Sequence, residues 1–568
     1  MIDSPLHPAL LPPFLLVIGG LLIPLLPERW RGGAMLALPV VGGWHLMSYE
    51  LGNYGAVALF GCELVLMRLD SLSRLFALVF FLATAVNVIY AWHVKDPVQQ
   101  VAALVYPGAA IGGVLAGDLV TLFIYWEIAA VSSVFLIWAS GTPRALKAGM
   151  RYIVIQVGSG VLLLGGLILY ARDTGSIAFT AMELGSAATL LIFFAFGIKS
   201  AFPLLHNWVQ DSYPESTVTG TNILSVFTTK LAVYALARGF AGTEELIVIG
   251  AIMTLFPIFF AVIEDNLRRV LTYSINNQVG FMVCAIGVGT PLALNGAVGY
   301  AFCNIIFESL LFMSMGAVLF RTGTTQASEL GGIYKSMPIT AGLCIIGAAS
   351  ISAFPLFAGF VAKGLIIDAV AEGHMLVVWL ILLFASAGVL EHAGIKIPYF
   401  GFFAHDSGKR CEEAPLQMLV AMTILGTLSV AIGVYPEPFY ALLPYEMDYV
   451  PYTAAHVVTQ LQLLLFAILA FVVLIKVGVY PPEIRSTNLD TDWLYRRLAP
   501  QMIGVLARLY SAVQSGVVLQ VRQQLNRAVD QLYEIHGPAG RLARSWPAGS
   551  MALWIAVLLG IALVLNYI

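Results

Sequence analysis

Apolar residues run along this chain in blocks of about twenty, broken by short polar stretches, which predicts helices that cross a lipid bilayer. A helix needs about 20 mostly apolar residues to span the ~30 Å hydrocarbon layer. Sixteen such segments are predicted, starting near Ala9, Gly32, Ser71, Val98, Asp118, Gly149, Ser186, Thr217, Glu245, Tyr273, Leu292, Met337, His374, Pro415, Ala455 and Ser550. Met1-Ile2-Asp3-Ser4-Pro5 contains no basic residue, so no cleavable signal is expected and the first segment stays.

Between Gln501 and His536 the pattern changes. Ile503, Leu506, Tyr510, Val513, Val517, Val521, Leu525, Val529 and Leu532 recur at steps of three and four, while Arg508, Arg522, Arg527 and Asp530 take other faces. Such a period predicts an amphipathic helix of about 36 residues, about 54 Å long at 1.5 Å per residue. It is expected to lie along the cytoplasmic membrane surface or along a partner subunit.

Orientation follows from the distribution of Lys and Arg between segments. The odd-numbered loops through segments 13 and 14 hold thirteen, from Arg29 and Arg31 to Lys396, Lys409 and Arg410. The even-numbered loops hold Arg68, Arg172 and Arg238, with Arg74 just inside segment three. The odd loops are therefore expected in the cytoplasm and both termini outside.

Composition agrees with the pattern. Of 568 residues 59% are apolar and 11% charged, and mean hydropathy is +0.87. A soluble domain carries about 25% charged residues, so an ordinary water-soluble protein is excluded. The net charge of −3 suggests no nucleic-acid partner. Cys62, Cys284, Cys303, Cys344 and Cys411 form no C-x-x-C pair, which argues against a disulfide framework, a zinc site or an iron–sulfur cluster. No cofactor or metal is expected.

One five-residue string occurs twice. Ser200-Ala201-Phe202-Pro203-Leu204 returns as Ser352-Ala353-Phe354-Pro355-Leu356, in predicted segments seven and twelve. An odd separation makes the two copies cross the bilayer in opposite directions, the arrangement of inverted-topology transporter repeats. Proline inside a spanning helix removes a backbone hydrogen bond and clashes with the preceding turn. Freed carbonyls are tolerated at membrane depth only where protein or water satisfies them.

Near these breaks lie the deepest ionisable residues: Glu127, Lys199, Lys230, Glu308 and Lys363. Each costs about 2.5–3.5 kcal/mol at a helix centre. Five unpaired charges would cost roughly 12–18 kcal/mol, as much as the stability of a whole domain. They must pair or line a hydrated path. Low dielectric disfavours the charged form of lysine and glutamate alike, so both types can exchange protons near neutral pH, and an alternating file of them reads as a proton wire. The plain alternative is a set of structural ion pairs. His206, three residues past Pro203, is either a proton relay or a packed, hydrogen-bonded histidine. Asp368 and Glu391-His392 are exit groups or interface residues. The glycines at 158, 160, 165 and 166 follow no strand and fit helix packing better than a nucleotide loop.

The stretch from Gly197 to Arg238, GIKSAFPLLHNWVQDSYPESTVTGTNILSVFTTKLAVYALAR, resembles the signature region of the proton-translocating antiporter-like family. That family includes the large membrane subunits of respiratory complex I and the A and D subunits of Mrp-type sodium/proton antiporters. The resemblance continues in Gly117-Asp118-Leu119 with Trp126-Glu127, in Asp265–Ser274 (DNLRRVLTYS), and in Phe354–Phe360 (FPLFAGF) leading to Lys363. It covers roughly residues 70 to 440. It implies that Glu127 pairs with Lys199, that Lys230 continues a hydrated axis, and that Lys363 serves the far half-channel. It also implies fourteen core helices with two inverted five-helix repeats, helices four to eight and nine to thirteen, in which helices seven and twelve are broken. The tail, with its Asn488–Arg497 stretch, resembles the surface-lying helix and final anchor of the longest complex I subunit. Three positions, in helices ten and eleven, depart from the family. Asn304 and Glu308 stand where most relatives carry histidine and lysine, and Gln278 stands at a histidine position in helix ten.

The expected fold is thus an all-α polytopic membrane protein of about 16 transmembrane helices. Its divisions are residues 1–97, 98–242 and 243–396 (the two repeats), 397–480, 481–548 (the lateral helix) and 549–568 (the anchor). The expected function is translocation of protons, with sodium as a second candidate ion, in a prokaryotic cytoplasmic membrane and beside other membrane subunits. The D subunit of an Mrp-type antiporter is the nearest reading. The alternatives are a proton-pumping subunit of a complex I-like oxidoreductase or membrane-bound hydrogenase, and the membrane partner of an inorganic-carbon uptake complex. No catalytic chemistry is expected in this chain itself.

Overall fold

The computed structural model describes residues 11–59, 61–485, 488, 490–537, 540 and 548–567. The predicted segment start at Ala9 and the Met1–Pro5 stretch lie outside them. The chain divides into two compact units, Met1–Asn488 and Leu489–Ile568.

In the first unit, short polar residues set where helices begin. Asp118, Thr142, Ser186, Thr217, Asn266 and Thr290 each accept a backbone N–H of the helix that follows, satisfying donors that a helix start leaves open. Two predicted starts move accordingly. The helices expected from Gly149 and Tyr273 begin at Pro143 and Leu267, because Thr142 and Asn266 cap them first. Among the described residues, eleven helices are long and apolar enough to cross a membrane, judged by length and composition; Pro12–Leu25, Ala187–Lys199 and Pro338–Ile351 are shorter.

The all-α expectation needs one correction. An antiparallel hairpin, β1 (Gly52–Leu59) and β2 (Cys62–Leu69), stands between the helices Glu28–Met47 and Ser71–Tyr90. Gly61, at φ +77°, turns the chain between the strands. Leu64, Met67 and Leu69 on β2 are buried, and Val65 both donates to Asp118 Oδ2 (2.8 Å) and accepts from Gly117 N–H (3.0 Å). The apolar alternation is too short to stand out beside twenty-residue apolar blocks.

Two stretches of this unit share local architecture. The helices Pro143–Thr174 and Pro291–Thr322 each have 32 residues, a threonine N-cap followed by proline, and a left-handed glycine cap, Gly175 and Gly323. The return strand after each pairs with the start of an earlier helix: Asp118 bridges Ala178, and Asn266 bridges Gln326. The identical pentapeptides break their helices identically. Ala201 and Leu204 have φ of +62° and +70°, and Ala353 and Leu356 have +57° and +75°. Phe202 N–H donates to Gly197 O (2.9 Å) as Phe354 N–H does to Ala349 O (3.0 Å).

A second correction concerns Lys396, which the sequence places in a loop and at a division point. A continuous helical segment runs from Leu376 to Phe403 through π-helical turns at Leu390–Ile395 and Tyr399–Phe403, and Lys396 is fully buried within it. Residues beyond 480 also pack with this unit. Glu483 pairs with Lys396 (3.0 Å), Arg485 with Glu329 (2.5 Å), and Asn488 donates to Glu264 (3.2 Å).

The second unit, by itself, holds the helices Ala499–His536 (38 residues) and Ala548–Tyr567 (20 residues). The first begins two residues before the expected start at Gln501. The stretch Arg496–His536 counts among the eleven by length and composition, although its pattern is amphipathic.

Candidate functional site

The deep ionisable residues sit on the helices that the caps and breaks position. Lys199 ends the Ala187–Lys199 helix, immediately before the break. Its buried ammonium donates to Trp126 O (2.7 Å) and lies 4.3 Å from the indole centroid. The contact is therefore to the backbone next to Glu127. Glu127 itself is half-buried, and its Oε1 has no protein partner. The carboxylate lies against Gly160, where any Cβ would collide with Oε1. That glycine is where the neighbouring helix makes room for the acid. Glu127 also edges an apolar hollow of about 600 Å³ lined by Leu21, Val101, Val105, Val131 and Phe135.

At the centre, Lys230 on the Val218–Gly239 helix meets Glu308 on the Pro291–Thr322 helix. Nζ and Oε2 are 3.0 Å apart, both side chains are at most 2% exposed, and Nζ also donates to Ser225 O (3.0 Å). Glu308 Oε1 has no protein partner, and neither do both amide atoms of Asn276 and Gln156 or the hydroxyls of Thr229 and Ser274. Buried polar atoms almost always find a partner, so these groups have the chemistry of a hydrated interior rather than a dry core.

Lys363, on the Ala358–Glu372 helix beyond the second break, donates to Ile351 O (3.1 Å) just before that break. Its ammonium lies 5.0 Å and 5.6 Å from the rings of Phe281 and Tyr300. Tyr300 in turn donates to Gln278. Lys199 and Lys363 thus share one solution: each ammonium rests on a main-chain carbonyl and an aromatic face. His206 is buried, with its ring centroid 4.5 Å from that of Phe256 and the two planes tilted by 52°.

A further charged cluster is not evident in the sequence. Buried Lys396 donates to Val262 O (2.6 Å) and pairs with Glu483, while Tyr480 donates to Glu391 Oε1 (2.6 Å). Burial pushes the loop carboxyl of Glu483 up to about 7, against the opposing pull of Lys396. The only signal in the sequence was Glu391-His392 at a helix end. Lys396 looked like a loop cation because the glycine and proline around it suggested that the helix had stopped.

Residues 116–389 match the family described as NADH:quinone oxidoreductase/Mrp antiporter, transmembrane. The chain is 27% identical over 420 residues to hydrogenase-4 component B of Escherichia coli, covering 65% of this chain and 62% of that one. It is 28% identical over 354 residues to the D subunit of the Na(+)/H(+) antiporter of Alkalihalophilus pseudofirmus, covering 58% and 71%. Over the matched stretch, this chain is similar to the NADH:quinone oxidoreductase/Mrp antiporter family. It spans a little under two thirds of the first of these relatives. Among solved structures, a chain of the membrane-bound sulfane sulfur reductase, an archaeal respiratory membrane complex, superposes with a TM-score of 0.71 over 98% of this chain and 99% of that one, at 21% identity. This is a likeness of fold. The family match starts just before the Asp118 cap and ends at Val389, so it contains all five deep charges and both breaks.

Proposed function

We propose that this chain is a proton-translocating subunit of a multisubunit membrane complex, most like the D subunit of an Mrp-type sodium/proton antiporter. Glu127, Lys199, Lys230, Glu308 and Lys363 carry the protons, with His206 beside the first break. The observation that carries this reading is the buried Lys230–Glu308 pair, in which Glu308 Oε1 has no protein partner. A structural ion pair needs its remaining lone pairs satisfied, and here one carboxylate oxygen is open. Protonation of either partner changes the field at the other, so the pair titrates as a unit and couples the groups on either side.

The shared caps, bridges and breaks of residues 117–205 and 265–357 support two inverted repeats, helices four to eight and nine to thirteen, within about sixteen crossings. Helical segments that are individually short, such as Ala187–Lys199 with Asn207–Ser212, then count as one broken crossing each. Both termini face outward, the chain sits in a prokaryotic cytoplasmic membrane, and the Ala499–His536 helix lies along the membrane surface. Sodium is the second candidate ion.

The relative named hydrogenase-4 component B supports a second reading, in which the chain is the proton-pumping membrane subunit of a redox complex. Copurification in mild detergent separates the two: dehydrogenase or hydrogenase subunits favour the redox complex, and only small hydrophobic subunits the antiporter. The translocation itself is tested by proton flux in proteoliposomes carrying the whole complex, with Glu127→Ala as the variant. Unchanged flux in that variant overturns the pathway.

A further inference from the structure

A cleft of about 340 Å³ lies between the Ala358–Glu372 helix, the Leu376–Val389 helix and the start of the Ala454–Val477 helix, and its lining includes Lys363, Gly364, Asp368, Ser386, His456 and Gln460. The third wall lies outside the family match, which ends at Val389. Lys363 forms the inner limit of the cleft, and the exposed Ala371, two turns further along the same helix, lines its outer part. Gly364 is the narrow point. A Cβ there would come 2.7 Å from His456 Cε1 and 2.8 Å from the Tyr449 hydroxyl. Only the absence of a side chain at Gly364 lets the imidazole and the phenol converge there.

The chemistry of these groups is set by their partners. His456 Nδ1 lies 2.9 Å from Pro451 O. A carbonyl can only accept, so Nδ1 carries the hydrogen and the neutral ring keeps its lone pair on Nε2. Stacking on Phe360, with centroids 4.5 Å apart and planes within 18°, fixes the ring plane. Tyr449 donates to Asp368 Oδ2 (2.7 Å) and so holds this carboxylate along the same cleft.

We propose that this cleft is the aqueous access route to Lys363, with His456 relaying protons at Nε2 beside the Gly364 constriction. The proposal rests on the proton-translocation reading. A proton leaving the Lys363 ammonium makes it a neutral amine and makes the imidazole a cation. The imidazolium then returns the proton from Nε2 to the aqueous end of the cleft, regenerating the same tautomer. The carboxyl group of Asp368 lines the same cleft and offers an acceptor to positive charge in transit.

The test reads access separately from transport. In the intact complex, in membrane vesicles of each orientation and with Cys62 and Cys411 replaced by serine, single cysteines are labelled with a membrane-impermeant cationic methanethiosulfonate. Lys363→Cys and Ala371→Cys are expected to label from one and the same face. Gly364→Val should abolish labelling of Lys363→Cys and leave Ala371→Cys labelled, which also shows that the chain is folded. Adding His456→Ala to Gly364→Val should restore labelling at position 363. Labelling of Lys363→Cys from the other face only, or undiminished by Gly364→Val, overturns the route. His456→Gln should lower proton flux while leaving labelling intact, and unchanged flux removes the relay. If the unsubstituted complex moves no protons, the function reading fails while the labelling pattern still decides the route.

Discussion

Lys230 Nζ lies 3.0 Å from Glu308 Oε2, joining the Val218–Gly239 helix to the Pro291–Thr322 helix at a point where both side chains are almost fully buried. At position 308 the acid stands where the family resemblance implies a lysine, and the structure pairs it with the lysine across from it. Removing one partner leaves the other charged and buried. Lys230→Ala should therefore destabilise the chain by about 3–5 kcal/mol, and the double variant Lys230→Met/Glu308→Gln should be markedly less damaging. Thermal unfolding of the detergent-solubilised complex checks this. A double variant as unstable as the single would show that the pair is not what the core needs.

Glu127 and Gly160 form a second such relationship, because a Cβ at 160 would occupy the place of the carboxylate. Glu127→Ala is expected to leave assembly intact and remove proton flux. Gly160→Ala should cut flux in the same way, although it alters no ionisable group. Proteoliposome acidification measures both, and normal flux in Gly160→Ala would mean that the carboxylate position is unimportant.

Depth should decide which cations matter. Lys363 is 2% exposed and rests on Ile351 O, whereas the Arg321 side chain is 24% exposed and holds Glu412 and Glu413 at a helix end. Lys363→Ala should abolish flux and Arg321→Ala should leave most of it. Equal losses would remove the basis for selecting sites by burial.

Glu483 makes stability depend on pH. Its folded carboxyl titrates near 7, above the ordinary value of 4.5, so the native state holds a proton more tightly than the unfolded chain. Between these values the unfolded state binds fewer protons, and stability falls as pH rises, levelling off above about 7. Melting temperatures measured from pH 5 to pH 8 should drop across that window, and Glu483→Gln should flatten this part of the profile. A slope identical in the variant would assign the dependence elsewhere.

The helix breaks hold alanine in a left-handed backbone at Ala201 and Ala353. That conformation costs an L-residue roughly 1–2 kcal/mol, and glycine adopts it freely at an entropic cost of about 0.5–1 kcal/mol. Ala201→Gly and Ala353→Gly should each be neutral to stabilising, by up to about 1 kcal/mol, while valine at either site destabilises. The same thermal unfolding assay measures both. Destabilisation by glycine would show that the alanine methyl packs in a way that outweighs the strain.

The apolar blocks, the repeated Ser-Ala-Phe-Pro-Leu string and the few deep charges were legible in the sequence, because a bilayer forces each spanning helix to be locally apolar and makes every exception conspicuous. Residues that act on their own backbone, such as the capping Asp118 or the break at Pro203, write their effect next to themselves. Tertiary structure alone decided the rest. Glu308 and Lys230 lie 78 residues apart, the room for Glu127 comes from a glycine on another helix, and His456 reaches the Lys363 cleft from outside the family core. Lys396 reads as a loop cation in the sequence, and packing buries it against Glu483. Pairing and burial depend on which helix faces meet in space, and nearly uniform apolar helices carry little local record of that choice.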